Sequence, residues 1–254
     1  MVAPKKELGQ HFLVDENILG VIGRLADLAP EDVVLEIGPG LGVLTRYLSP
    51  RVRRVHAVEL DRSLEPELRN LPANVDLHFG DALRLDLAAL DPPATKLVAN
   101  LPYNIATPVV AESLDGLPHV QQWTVMVQRE VADRLFARPG TKAYGAVSVL
   151  VQLVAERTGF HPVSRMVFRP RPNVESALVA FRRTGMPDDF ARVKQIVAGA
   201  FAYRRKTLPN SLELAGIADR SRAEAAIEQI GRAANVRAEE LTPPEFLRLE
   251  EALR

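Results

Sequence analysis

Four consecutive residues, Asn100-Leu101-Pro102-Tyr103, bring a side-chain amide, a main-chain carbonyl and an aromatic ring to one point of the chain. They follow the apolar run Leu97-Val98-Ala99, which reads as a buried strand emptying into a loop. An amide oxygen and a backbone oxygen can each accept an N–H from an exocyclic amino group, and a phenol ring gives the face of a base something to stack on. Alone, four residues are a weak signal. The residues upstream supply the weight.

The strand Val33-Val34-Leu35-Glu36-Ile37 runs into Gly38-Pro39-Gly40-Leu41-Gly42 and then the apolar Val43-Leu44. Glycines at such a turn let the backbone approach a ligand and open a helix whose amino end faces it. A second strand, residues 55–60, carries Glu59 near its end, where a carboxylate can accept both hydroxyls of a ribose. A third, residues 75–79, leads into Gly80-Asp81-Ala82, where Asp81 can accept from an adenine amino group. Each has a bland alternative, because doubly wound proteins have glycine turns and acids cap helices. In this order they point to a nucleoside-bearing cofactor. A dinucleotide fingerprint reads Gly-x-Gly-x-x-Gly and must hold a pyrophosphate; here the third glycine comes one residue early. S-adenosylmethionine needs only the adenosine contacts and room for an amino-acid tail. Ligands of open α/β sheets gather at the carboxyl ends of the strands, so the four segments converge, and the reading is a methyltransferase.

With these residues in view, the chain resembles the ribosomal RNA adenine N6-dimethyltransferase family (the KsgA type) over almost its whole length. Leu8-Gly9-Gln10-His11-Phe12-Leu13 is similar to the family's cofactor-covering amino-terminal motif, and residues 36–42, 58–61 and 80–82 follow in the family's order. Asn100-Leu101-Pro102-Tyr103-Asn104-Ile105 is similar to its catalytic loop. Residues 127–132, Lys142-Ala143-Tyr144-Gly145, residues 168–177 and Arg204-Arg205-Lys206-Thr207-Leu208 complete the series. Asn-Leu-Pro-Tyr is shared with other N6-adenine enzymes; the last two motifs are more specific. His11 stands where the family often has Asn. The resemblance implies dimethylation of two adjacent adenosines in a hairpin near the 3′ end of small-subunit (16S) ribosomal RNA during subunit biogenesis. It assigns catalysis to Asn100, Leu101, Pro102 and Tyr103, cofactor binding to His11, Leu13, Gly38, Gly40, Glu59, Asp81 and Asn100, and RNA contacts to Arg169, Arg171, Arg204, Arg205 and Lys206.

The elements that must position these residues are legible in outline. The expected fold is α/β: a Rossmann-like S-adenosylmethionine-dependent methyltransferase domain over residues 1–185, followed by a small all-helical, RNA-contacting domain over 186–254. Asp15 is suited to cap a helix running to Ala29. Strands near 33–37, 55–60, 75–79, 96–101 and 123–127 alternate with helical segments, as a parallel sheet covered on both faces requires. Residues 146–155 read as a helix and Ser176–Phe181 as a late strand. The Arg169-Pro170-Arg171-Pro172 segment is an extended loop. After Gly185-Met186-Pro187 the pattern is helical only, with Phe190, Val193, Ile196, Val197 and Ala200 on one face. Ser221-x-x-Glu224 and Thr242-Pro243-Pro244-Glu245 both match a capping box.

Composition excludes several classes. The 254 residues, 47% hydrophobic, can bury one large core and a small one. With no cysteine there is no disulfide, no thiolate-bound metal and no cysteine nucleophile for carbon methylation. Five scattered histidines lack ligand spacing, so no metal is expected. No signal-like or membrane-length apolar run is present; a cytoplasmic monomer with no membrane partner is the expectation. Net charge is zero, yet residues 157–206 carry 11 basic and 3 acidic side chains. That local excess matters more to a polyanion than the total does, and suits small-subunit ribosomal RNA in its assembling particle. The alternatives are a large-subunit adenine methyltransferase, a DNA adenine methyltransferase (which commonly has Pro-Pro-Tyr), and an assembly checkpoint or transcription factor using methylation little.

Overall fold

The structure, a computed structural model, describes Lys5 and residues 10–203 and 205–254. Leu8, Gly9 and Arg204 lie outside the described residues. Contacts divide the chain into two compact units, the first comprising the described residues up to Ala132 with Glu156–Arg183, the second Asp133–Ala155 with Thr184–Arg254.

The first unit is built on one mixed sheet. Strands β2 (Val33–Ile37), β3 (Arg54–Glu59), β4 (Val75–Phe79), β5 (Lys96–Asn100) and β6 (Gln122–Gln128) are parallel to their neighbours; β9 (Ser176–Arg183) runs antiparallel to β6, and β7 (Ala155–Val163) lies at the edge, giving the order β4-β3-β2-β5-β6-β9-β7. The central strands are buried on both faces, which is why 97–99 reads as an unbroken apolar run and 33–37 as one interrupted only by Glu36, rather than as alternating patterns. Helix α1 (Glu16–Ala26) begins where Asp15 accepts from the Asn17 N–H, as its sequence position suggests, and buries Ile18, Leu19 and Ile22. It stops three residues before Ala29, at Asp27, which takes a left-handed conformation. Helix α2 (Val43–Leu48) follows the glycine loop, the short α3 (Glu65–Leu68) comes between β3 and β4, α4 (Ala106–Gly116) follows the Asn-Leu-Pro-Tyr loop, and α5 (Arg129–Leu135) follows β6. A separate two-strand pairing joins β1 (Phe12–Leu13) to β8 (Phe168–Arg169), antiparallel.

Strand β7 had no counterpart in the sequence reading. Its middle is exposed or half-buried and holds Gly159 and Pro162, so it shows neither alternation nor an apolar run; its place at the sheet edge explains that composition.

The second unit is helical. It contains α6 (Ala146–Val154), α7 (Phe190–Ala202), α8 (Leu208–Leu214), α9 (Arg220–Gln229) and α10 (Pro243–Ala252). The boundary expected at residue 185 therefore leaves out a piece, since residues 133–155 also belong to this unit. The reason is packing: α6 buries Val147, Val149, Leu150 and Val151 and lies against α7 and α10, and the Tyr144 hydroxyl donates to the Leu241 carbonyl at 2.8 Å. A composition break marks a linker but does not show where an earlier helix docks. The five apolar positions of α7 expected on one face are all buried. At α9 the cap is Asp219, accepting from the Arg222 N–H, and Ser221 sits inside the helix, so the capping box expected there does not form; Glu224 instead pairs with Arg220.

The box at Thr242 does form, and its Glu245 also takes Arg232 at 2.7 and 3.0 Å. The Arg232 hydrogen bonds outweigh burial and hold the Glu245 carboxyl down at about 2. A depressed carboxyl contributes stability that is complete above its ordinary value near 4.5 and disappears as pH falls toward about 2. Glu245→Ala is expected to cost about 1–3 kcal/mol at neutral pH, and denaturant unfolding across pH should show the deficit shrinking below pH 4.5.

Candidate active site

The turn after β2 depends on three left-handed glycines, Gly38 (φ +75°), Gly40 (φ +59°) and Gly42 (φ +74°). A Cβ on Gly38 would stand 3.0 Å from the Pro102 ring, and one on Gly40 3.0 Å from the Phe12 ring. The sequence assigned these glycines to close ligand approach. The structure shows that two protein segments, the Asn-Leu-Pro-Tyr loop and the amino-terminal strand, also close directly on the turn.

Glu59, at the end of β3, fixes this turn. One carboxylate oxygen accepts the Gly40 N–H at 3.1 Å and the other the Asp61 N–H at 2.8 Å. Burial raises its pKa, more than these two hydrogen bonds lower it. Asp61 is the opposite case. It is buried, which alone would raise it, yet Lys5 (2.6 Å), Ser63 and Gln10 (2.9 Å) donate to it and hold it well below the usual carboxylate range. Lys5 and Gln10 thereby tie the amino-terminal segment to the loop beyond β3.

Asn100 ends β5, and the loop turns with the Leu101 N–H on the Met126 carbonyl (3.1 Å) and the Ile105 N–H on the Pro102 carbonyl (3.1 Å). The Asn100 amide nitrogen donates to the His11 carbonyl at 3.3 Å. Tyr103 lies with its hydroxyl 2.6 Å from the Ser176 hydroxyl and its ring 5.3 Å from that of His11. Burial pushes the Tyr103 phenol above its ordinary value, so it stays neutral at physiological pH.

One cavity of about 270 Å³ joins these parts at the carboxyl ends of β2 to β5. His11, Leu13, Gly38, Gly40, Glu59, Asp81, Asn100, Leu101, Pro102 and Tyr103 all line it, so every cofactor-binding and catalytic residue expected from sequence meets there. Sequence reasoning left out Leu60 and Leu83, which stay 53% and 41% exposed and offer apolar walls for a planar ring. It also left out Glu36, whose signal was its place two residues before Gly38. This carboxyl lines the cavity, is 1% exposed, and keeps one oxygen without a hydrogen-bond partner. Burial pushes its pKa up to about 8, with the neighbouring Glu59 adding to the rise. Among the described residues, no group of three or more His, Asp or Glu side chains is arranged to hold a metal, and no helix is long and apolar enough to cross a membrane.

Of the basic residues, Arg169 and Arg171 in the first unit and Arg205 and Lys206 in the second are exposed. Others in the basic stretch have partners within the protein: Arg165 and Arg182, also exposed, form surface pairs with Glu175 and Glu156, and Arg192 pairs with Glu250, while Arg183 donates to the Leu117 and Val120 carbonyls and lies over Trp123.

Residues 1–254 match the family described as ribosomal RNA adenine dimethylase. The chain belongs to this family. It is 50% identical over 250 residues to the ribosomal RNA small subunit methyltransferase A of Rubrobacter xylanophilus, covering 97% of this chain and 94% of that one. To the protein of the same name from Thermobifida fusca it is 44% identical, covering 98% and 90%. Among solved structures it is similar to a dimethyladenosine transferase from Plasmodium falciparum (TM-score 0.76, 23% identity, 94% and 96% covered), a likeness of fold. It is also similar to the 23S rRNA methyltransferase ErmE (TM-score 0.65, 30% identity, 95% and 99% covered). As a ribosomal RNA adenine dimethylase the chain is an S-adenosylmethionine-dependent transferase acting on adenine. The cavity fits that cofactor: carboxylates at Glu59 and Asp81, apolar walls at Leu60 and Leu83, and a buried Glu36 oxygen still without a donor.

Glu36 in this dimethylase provides a test of the site's electrostatics. A carboxyl raised in the folded state contributes stability that is complete below its ordinary pKa and is lost as pH rises through about 8. Glu36→Gln should leave stability near pH 5 almost unchanged and raise it above pH 8 relative to the parent. Unfolding free energies measured across that range check the sign.

Proposed function

We propose that this dimethylase modifies N6 of two neighbouring adenosines in a hairpin near the 3′ end of small-subunit (16S) ribosomal RNA, within an assembling particle, and acts as a cytoplasmic monomer. The observation that carries the residue assignment is the convergence of the Asn100–Tyr103 loop with Gly38, Gly40, Glu59 and Asp81 in a single cavity. The choice of the small subunit rests on relatives: those bearing that name reach 50% identity, against 30% for the 23S enzyme.

The lone pair of adenine N6 is delocalised into the ring, so the amine is a poor nucleophile. Asn100, through its side-chain oxygen, and Leu101, through its main-chain carbonyl, each accept one N6–H and draw the nitrogen toward a pyramidal geometry with its lone pair exposed. Tyr103 stacks on the base as a neutral phenol, worth roughly 1–3 kcal/mol by the usual range for base–aromatic contacts. Pro102, packed on the Gly38 turn, keeps these groups from wandering. Glu59 and Asp81 hold the ribose and adenine of S-adenosylmethionine, with Gly38, Gly40, His11 and Leu13 shaping the space around it. When bound, that cofactor supplies the electrophilic methyl group. No residue in the loop is a base near neutral pH; the methylated nitrogen, formed as an acidic ammonium, releases its proton to water, so acceleration comes from orientation, for which about 7–11 kcal/mol is available in well-aligned reactions. Base exposure is required, by flipping or from a loop. Arg169 and Arg171 in the first unit contact RNA phosphates, as do Arg205 and Lys206 in the second, with Arg204 beside them in sequence.

Asn100→Ala should abolish methyl transfer into unmodified small-subunit particles at saturating cofactor; wild-type turnover would exclude the amide grip. Tyr103→Ala should lower turnover while leaving S-adenosylmethionine binding intact by calorimetry, and Glu59→Ala should do the reverse. Mass-spectrometric mapping of the product identifies the adenosines. RNA affinity should fall with salt, and replacing Arg205 or Lys206 with Ala should flatten that slope by roughly one for each cation removed.

A further inference from the structure

His11 holds the catalytic loop in two ways. Its carbonyl accepts the Asn100 amide nitrogen at 3.3 Å, and its ring lies 5.3 Å from that of Tyr103, tilted by 35°. The ring is anchored in turn: Nδ1 is 2.8 Å from the Pro170 carbonyl, which can only accept, so Nδ1 carries the proton and donates. From the other side, the Tyr103 hydroxyl meets Ser176 Oγ at 2.6 Å. Ser176 is 1% exposed, begins β9 opposite Gln128, and does not line the cavity, so its link to the site runs through the phenol.

Three consequences follow from the chemistry of these contacts. A carbonyl cannot donate, so the contact at His11 identifies the nitrogen end of the Asn100 amide and turns its oxygen away from His11. A separation of 5.3 Å already lies within the contact range of about 4.5–7 Å for aromatic pairs, so no base fits between His11 and Tyr103. Finally, a phenol fastened at its hydroxyl and backed on one face cannot swing to present the other.

We infer that His11 and Ser176 are positioning residues for methyl transfer. His11 aims the Asn100 oxygen and backs Tyr103, Ser176 pins the phenol, and an adenine consequently meets Tyr103 on one face only, with the amide oxygen at its edge. The inference rests on the reading of residues 100–103 as the base grip. It gives His11 a task separate from lining the cofactor cavity: the ring acts on the base side, the main chain on Asn100.

The test uses the full chain, unmodified small-subunit particles for turnover, and a short RNA hairpin carrying 2-aminopurine at the target position for stacking. His11→Asn removes the ring but keeps the carbonyl, whereas His11→Phe keeps a ring and loses the Pro170 anchor. At saturating S-adenosylmethionine both should lower kcat and weaken 2-aminopurine quenching, His11→Asn more. Ser176→Ala and Tyr103→Phe remove one hydrogen bond from its two ends. Each should lower kcat by about 3- to 10-fold, the scale of one such bond, with KM for the particle moving less. The double variant should be no worse than either single one, and additive losses would show that Ser176 does not act through Tyr103. If Ser176→Ala does not fold, Tyr103→Phe reads the same bond. Unchanged kcat and quenching in His11→Asn at saturating cofactor would overturn the inference. Tyr103→Ala separates the two levels. If it abolishes quenching while the His11 and Ser176 variants do not alter it, the brace fails and the base grip stands. If Tyr103→Ala leaves quenching intact, the base grip itself fails.

Discussion

A two-residue strand pairing holds the site together. Phe12 and Leu13 lie against Arg169 and Phe168, and from this short ladder the amino-terminal segment delivers the His11 carbonyl to Asn100, the Phe12 ring to Gly40 and Leu13 to the cavity wall. So short a pairing has few hydrogen bonds of its own. It is held by burial of Leu13 and Phe168, both in the core beside α1, and by the ties from Lys5 and Gln10 to Asp61. The glycine turn, the amino-terminal strand and the catalytic loop are therefore mutually packed, and none of the three takes its position alone.

Three carboxyls near one turn show how far environment separates like groups. Glu36 has neither solvent nor a full set of donors and is pushed up; Glu59 is raised less because two backbone N–H groups reach it; Asp61, with a lysine, a serine and a glutamine around it, is pushed down. Burying acids this way is costly, and such shifts gather at functional sites more often than elsewhere. Here Asp61 ties down the amino-terminal segment and Glu59 the glycine turn, while both raised acids, Glu36 and Glu59, line the cavity.

The basic stretch shows how charge counted along a sequence differs from charge presented at a surface. Arg165, Arg182 and Arg192 find carboxylates, and Arg183 finds carbonyls and an indole face. Arg169, Arg171, Arg205 and Lys206 stay exposed. Stiff Pro-containing backbone carries the first two, and a helix end precedes the others. What a polyanion meets is set by this residue-by-residue settlement rather than by the segment's excess.

The sequence by itself determined the succession of parallel strands along the chain, the glycine turn, and the acids and Asn-Leu-Pro-Tyr loop at the strand ends. Each is a local pattern: apolar runs buried on both faces, glycines where φ must be positive, polar groups where a strand stops. The same locality made the Asp15 cap and the apolar face of α7 legible. Tertiary structure decided what depends on distant partners. The Asn100 amide finds its acceptor 89 residues away and Tyr103 its hydroxyl partner 73 residues away. Edge strand β7, with its mixed burial, carries no periodicity to read, and residues 133–155 join the helical unit because of where α6 docks. Side-chain direction and long-range contact arise only on packing, and a linear pattern holds no record of them.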